Sequence, residues 1–153
     1  MNRTEKEEYV IGCISLLSNK LAKFGDTILP DITYKQWFLL LMIAKMEKKE
    51  KNINAIAEFV GTTRQNVKKM LVPLEKKGYI VAHKSTNDGR SVTIALTEKT
   101  YQYFSDNDVP TAQHTNDLFS TFSEQEIDSF ILNLQKLTNC LTSKEQSPAN
   151  KCQ

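Results

Sequence analysis

The stretch GTTRQNVKKMLVPLEKKGYI, residues 61–80, decides how this chain is to be read. Gly61 stops a short apolar helical pattern, and a longer one restarts two residues later with basic and amide side chains. At about 100° per residue, Val67, Leu71 and Leu74 fall in one narrow sector, with Met70 beside it. Gln65, Lys69 and Lys76 lie nearly opposite, flanked by Asn66 and Lys68. One stripe therefore faces a core, and the other offers hydrogen-bond donors and positive charge. Thr62-Thr63-Arg64-Gln65 has the T-x-x-Q form of a capping box, so Thr62 or Thr63 starts this helix. Pro73 removes a backbone donor and crowds the carbonyl of Lys69, which predicts a kink or slackened turn there. The part from Thr63 to Met70 stays straight.

On the N-terminal side, Asn52 can cap a helix with Ile53, Ile56, Ala57 and Val60 on one face. On the C-terminal side, residues 79–84 and 91–96 read as the arms of a hairpin. Val92, Ile94 and Leu96 alternate with Thr93 and Ala95, as a half-buried strand should. Asn87-Asp88-Gly89 supplies turn chemistry, with Arg90 at the tip and Lys84 on the opposite arm. Helix, turn, helix and hairpin in this order is the layout of a winged helix-turn-helix, whose natural use is to place one helix in a DNA groove.

The flanks are helical too, giving a mainly α fold with a small β-hairpin wing. From Thr4 to about Phe24, apolar residues including Tyr9, Val10, Cys13, Leu17 and Leu21 follow an amphipathic pattern that Gly25-Asp26 is expected to end. Thr33 and Gln36 form a second T-x-x-Q box, opening a helix to about Met46. That helix is apolar nearly all round and so belongs in the core. Thr97 caps a helix through Tyr101 and Phe104, and residues 106–110 look like an interruption at which it either breaks or continues beyond. Ser123 and Glu126 form an S-x-x-E box before a seam of Ile127, Phe130, Ile131, Leu134, Leu137 and Leu141. Residues 143–153 form a polar, fraying tail.

The 153 residues suit a single domain: a lobe at about 33–100, helical flanks at 1–30 and 101–142, and the tail. The net charge is only +2, but it is unevenly placed. Eight Lys/Arg face three Asp/Glu over residues 51–90, a local +5, whereas four face eight over residues 91–153, a local −4. Positive charge gathered on the helix-turn-helix and hairpin is the footprint of a polyanion binder. No apolar run can span a bilayer, and residues 2–8 lack a leader's basic n-region, so no membrane partner and a cytoplasmic location are expected. Cys13, Cys140 and Cys152 are odd in number and scattered, as reduced thiols would be. No nucleophile elbow, phosphate loop, paired carboxylates or metal-ligand cluster is present, so neither an enzyme nor a cofactor is expected.

With these residues in view, the chain resembles the MarR family of bacterial winged-helix regulators. NINAIAEFVGTTRQNVKKMLVPLEKKGYI (52–80) is similar to the family's helix-turn-helix ending in L-E-x-x-G. DGRSVTIALTEK (88–99) is similar to its D-x-R wing and following L-T. ITYKQW (32–37) is similar to its L-T-x-x-Q-[WY/F] at the second helix. Two departures are Thr100, where the family often has glycine, and Pro73 inside the recognition helix. The resemblance implies a homodimer held by N- and C-terminal helices, with a DNA-binding lobe on each subunit. It implies a repressor on a palindromic operator, released by a small ligand or by thiol oxidation.

The expected DNA contacts are Thr63, Arg64, Gln65, Asn66, Lys68 and Lys69 on the recognition helix, with Lys84, Asp88 and Arg90 on the wing. Arg and Lys can donate to guanine, Gln and Asn can pair with adenine, and any of them can hold phosphate. A solvated helix face would carry the same residue types, but it would not explain the turn, the wing and the local charge together. Arg90 suits a narrow minor groove, with Asp88 placed to orient it. Phe24, Tyr34, Trp37 and Phe38 can line an effector cavity between the flanking helices and the lobe, and core packing accounts for them equally well. Cys13, four residues after Tyr9, is a redox candidate by resemblance, yet no cation near it in sequence would lower its pKa, and buried packing explains it too. A further alternative is a winged-helix module that binds protein, which calls for an acidic or neutral recognition face.

Overall fold

The computed structural model describes residues 1–47, 51–84 and 92–145. Six helices and one hairpin follow in order: α1 (Arg3–Ile28), α2 (Tyr34–Lys45), α3 (Ile53–Val60), α4 (Arg64–Lys76), β1 (Ile80–Lys84), β2 (Val92–Leu96), α5 (Glu98–Phe119) and α6 (Glu124–Glu145). The chain divides into two compact units, residues 1–111 and 112–153.

The first unit is built on helix ends that the local sequence specifies. Asn2 caps α1, with its side chain accepting from the Glu5 amide and Glu5 returning a bond to the Asn2 amide at 2.8 Å. Thr33 and Gln36 exchange the same pair of bonds at the start of α2. Asn52 accepts from the Ala55 amide at 2.9 Å to start α3. Gly61 ends α3 at φ 69°, a left-handed conformation that costs glycine little, and lets the Thr62 amide reach back to the Ala57 carbonyl. The chain can therefore turn within two residues and begin α4.

One continuous core joins these elements. Leu39, Leu40 and Ile43 of α2, Ile56 and Ala57 of α3, and Val67, Leu71 and Leu74 of α4 pack with Tyr79, Ile80, Ile94 and Tyr103. The hairpin is antiparallel, pairing Ile80 with Leu96 through Lys84 with Val92, so the buried Ile94 points at the core. A single bridge between Asn52 and Thr93, with the Ile94 amide bonded to the Lys51 carbonyl, fastens the hairpin to the start of α3. The hairpin thus stands beside α4 as a wing.

Two expectations are corrected, at α1 and at α2, and two open ones are decided, at α4 and at α5. α1 does not end at Gly25-Asp26 but runs on to Ile28. Gly25 is buried against the Tyr34 ring, where a Cβ would collide, and Asp26 accepts from the Tyr34 amide at 2.7 Å. Glycine here serves close approach rather than termination. α2 is less enclosed than its composition suggests, since Phe38 is 38% exposed. Of the two threonines that can start α4, the cap is Thr63, whose hydroxyl accepts from the Asn66 amide at 3.2 Å, which leaves Gln65 out of the capping role. Of the two courses open at residues 106–110, α5 takes the continuous one and stays helical through Pro110. α4 carries Pro73 inside it as one helix.

In the second unit, Ser123 and Glu126 close the expected capping box before α6. Its Phe130, Ile131, Leu134 and Leu141 are all exposed.

Candidate nucleic-acid interface

The core stripe of α4 is fully inside: Val67 and Leu74 have no exposure and Leu71 only 5%. That anchorage turns the opposite stripe outward, where Arg64, Gln65, Asn66, Lys68 and Lys69 are exposed together with the capping Thr63. Asn66 donates from its side chain to the Thr62 hydroxyl at 3.3 Å. Among the described residues, no hydrogen bond or ion pair engages the side chains of Arg64, Gln65, Lys68 or Lys69. Four donor-bearing side chains on two turns of a rigid helix are thus free to meet a polyanion or a base edge. Lys84 is exposed at the end of β1. Asp88 and Arg90, with the turn that carries them, lie outside the described residues.

A cluster that sequence reasoning missed supports α4 at its C-terminal end. Asp31, in the α1–α2 connector at φ 65°, accepts from the Tyr79 hydroxyl at 2.6 Å and from Lys77 Nζ at 3.1 Å. Lys77 Nζ also donates to the Asp31 carbonyl. Lys99 Nζ sits 4.4 Å from the centre of the Tyr79 ring and donates to the Lys77 carbonyl at 2.7 Å. Tyr103 meets Tyr79 edge-on and donates to the Pro30 carbonyl at 2.8 Å. Bonds from Tyr79 and Lys77 hold the Asp31 carboxyl below its usual range. Burial, then the hydrogen bond to Asp31 and its charge, pushes Tyr79 up, while burial and then the Asp31 charge raise Tyr103 to about 12. Thr97 does not spend its hydroxyl on α5 but donates to the Gly78 carbonyl at 2.7 Å. Thr100, the family departure, is wholly buried and donates to the Tyr79 carbonyl. Only the burial of Tyr79, which demands a partner for its hydroxyl, hinted at this cluster.

Of the four candidate effector residues, the structure brings two together. Tyr34 and Phe38 line a groove of about 560 Å³ with Ser18 and Ala22 of α1, Lys35 of α2, and Asn66, Lys69 and Met70 of α4. Phe24 and Trp37 do not line it; Trp37 packs against the core and lies 5.5 Å from the Tyr34 ring. Cys13 is exposed rather than packed inside. The neighbouring Cys13 thiol raises the Tyr9 phenol above its ordinary 10.0. No group of three metal-ligating side chains occurs among the described residues, and no described helix is long and apolar enough to cross a membrane.

A two-helix turn with a free donor stripe and an adjoining hairpin defines the winged helix-turn-helix class of transcription regulators. The sequence profile of the family described as transcriptional regulator SarA/Rot matches residues 26–107. The regulator SarZ of Staphylococcus aureus (strain USA300) is 32% identical over 111 residues, spanning 71% of each chain. This chain belongs to the SarA/Rot family of transcriptional regulators. Among solved structures, a MarR/EmrR family regulator from Acinetobacter sp. ADP1 superposes with a TM-score of 0.76 at 22% identity, covering 90% of this chain and 97% of that one. The MepR–DNA complex of S. aureus gives 0.70 at 24% identity, covering 84% and 93%. The chain is therefore a DNA-binding regulator with a MarR-type fold, and its relatives are regulators rather than enzymes.

Proposed function

We propose that this protein is a cytoplasmic homodimer that reads a palindromic operator with α4 and represses transcription until a small ligand releases it. The observation that carries this reading is the uncommitted donor stripe of α4, backed by a fully buried stripe. Thr63, Arg64, Gln65, Asn66, Lys68 and Lys69 enter the major groove, while Lys84, Asp88 and Arg90 of the wing reach the flanking backbone and minor groove. The whole chain acts as one MarR-like domain, with residues 33–100 as the reading lobe and residues 1–30 and 101–142 as dimerisation helices. Support for pairing comes from Ile11, Leu16 and Leu17 of α1 and Leu134 and Leu141 of α6, which are 38–57% exposed in the single chain. Repression and release follow the family pattern, and the groove beside α4 offers the ligand a place.

A salt titration on duplex DNA tests the reading. Affinity should fall steeply with salt and favour half-sites about one helical turn apart. Replacing Lys68 or Lys69 by alanine should flatten the salt slope by about one unit each. Salt-insensitive binding, or none to any duplex including the region upstream of the protein's own gene, sinks it. A protein-binding module would want a neutral or acidic face, and α4 presents lysines.

One observation favours a second mode of release: Cys13 is exposed on α1, one helical turn after Tyr9. If its thiol is the sensor, peroxide should weaken DNA binding in the native chain and not in Cys13→Ser.

A further inference from the structure

Residue 66 is fastened twice. Thr63 Oγ1 accepts from its backbone amide at 3.2 Å, and Thr62 Oγ1 accepts from its side-chain Nδ2 at 3.3 Å. Thr62 is itself held, because the left-handed turn at Gly61 brings its amide to the Ala57 carbonyl at 2.9 Å and leaves the residue half-buried. Restraint thus passes from α3 through the turn to one exposed side chain on the first turn of α4. The side chains of Arg64, Gln65, Lys68 and Lys69 have no hydrogen bond or ion pair among the described residues. Of these five amide and cationic groups, Asn66 is the one oriented before anything binds.

We propose that Asn66 reads one adenine in the major groove, and that Thr62 is the positioning residue that sets its amide for the task. An Asn side chain has one acceptor oxygen and two N–H donors. With one N–H on Thr62, Oδ1 and the second N–H remain, an acceptor and a donor side by side. Adenine offers the complementary pair, its N6 amino donor beside the N7 acceptor. Guanine sets two acceptors there, so O6 would meet Oδ1 unfavourably, while cytosine and thymine each allow one bond. A short amide already in place loses little rotamer freedom on docking, whereas the long Arg64, Lys68 and Lys69 side chains must be ordered at that moment. Those suit phosphates, which accept from many directions; Asn66 suits a base edge, which demands two bonds in one plane. This inference rests on the reading of DNA by α4 proposed above.

The probe is a library of duplexes with a randomised centre, selected on the protein and sequenced before and after. The native chain should enrich a motif in which one position favours adenine about tenfold over any other base. Asn66→Ala should make that position indifferent. Thr62→Val, which keeps the shape and removes the hydroxyl, should reduce the preference there to about twofold and leave the other positions as they are, with Thr62→Ser restoring it. Circular dichroism confirms that each variant is folded. A position that answers to Asn66→Ala but not to Thr62→Val overturns the positioning role, and so does a loss spread evenly over all positions in Thr62→Val. A position that answers to both but prefers another base overturns the assignment to adenine. Salt-dependent binding with no position that Asn66→Ala changes overturns the inference while the grip of α4 on the backbone stands. If no duplex binds at any salt, the reading of DNA by α4 itself fails, and this inference with it.

Discussion

Asp31 shows how much one side chain can organise when its backbone is held in an uncommon conformation. Asp tolerates the left-handed region better than most residues, and from there its carboxylate meets Tyr79 and Lys77 at once. Its depressed pKa makes this contact stabilising above the ordinary carboxylate value of 3.8, and that part is lost as pH falls through the folded value. Tyr103 works the other way. Its contribution is complete below 10.0 and is lost as pH rises through about 12. Melting temperature against pH should therefore fall at both ends, with Asp31→Asn flattening the acid limb and Tyr103→Phe the alkaline one. Gly25 offers a second test at this scale. An exposed glycine inside a helix gains up to about 1 kcal/mol when changed to alanine, and Gly12, with open space around it, should do so. Gly25→Ala should instead lose about 1–3 kcal/mol in urea unfolding, because its new methyl meets the Tyr34 ring.

At the scale of elements, helical periodicity and capping signals carry local information, and they located α2, α3, α4 and α6 closely. Val67, Leu71 and Leu74 fell on the buried face because a helix wheel needs no knowledge of the partner. The signals failed where a distant residue decided the outcome. Gly25 looks like a stop until Tyr34 is known to lie against it, and Thr97 looks like a cap until its hydroxyl is found on Gly78. The T-x-x-Q left Thr62 and Thr63 open as the start of α4, and only the structure shows that Thr63 bonds the Asn66 amide and leaves Gln65 facing outward. The donor stripe was legible for the same reason as the core stripe, whereas the Asp31–Tyr79 pair, separated by 48 residues, leaves no periodic trace. Pro73 persists inside an intact α4 without an amide to give the Lys69 carbonyl. Pro73→Ala should raise stability by up to about 3 kcal/mol, measured by thermal unfolding. Ser123→Ala should cost α6 about 1 kcal/mol by removing its cap, read as lost helicity on warming.

For the whole molecule, the unresolved balance is between a well-filled lobe and helices that leave apolar surface uncovered. A second copy of the chain is the covering proposed here. Leu16→Glu with Leu17→Glu should shift sedimentation from dimer to monomer while the lobe keeps its melting transition; an unchanged dimer would place the interface elsewhere. The charge distribution has a quieter consequence. Residues 51–90 contain eight cationic side chains, but Lys51 has its ammonium on the Ile43 carbonyl, and Lys77 is tied to Asp31. Both still add to the field that draws a polyanion in, yet neither can leave its carbonyl to touch a phosphate without loosening the lobe. The count of counterions this segment can displace from DNA is therefore capped below what its composition suggests, and steering and grip become separable properties of the same charges.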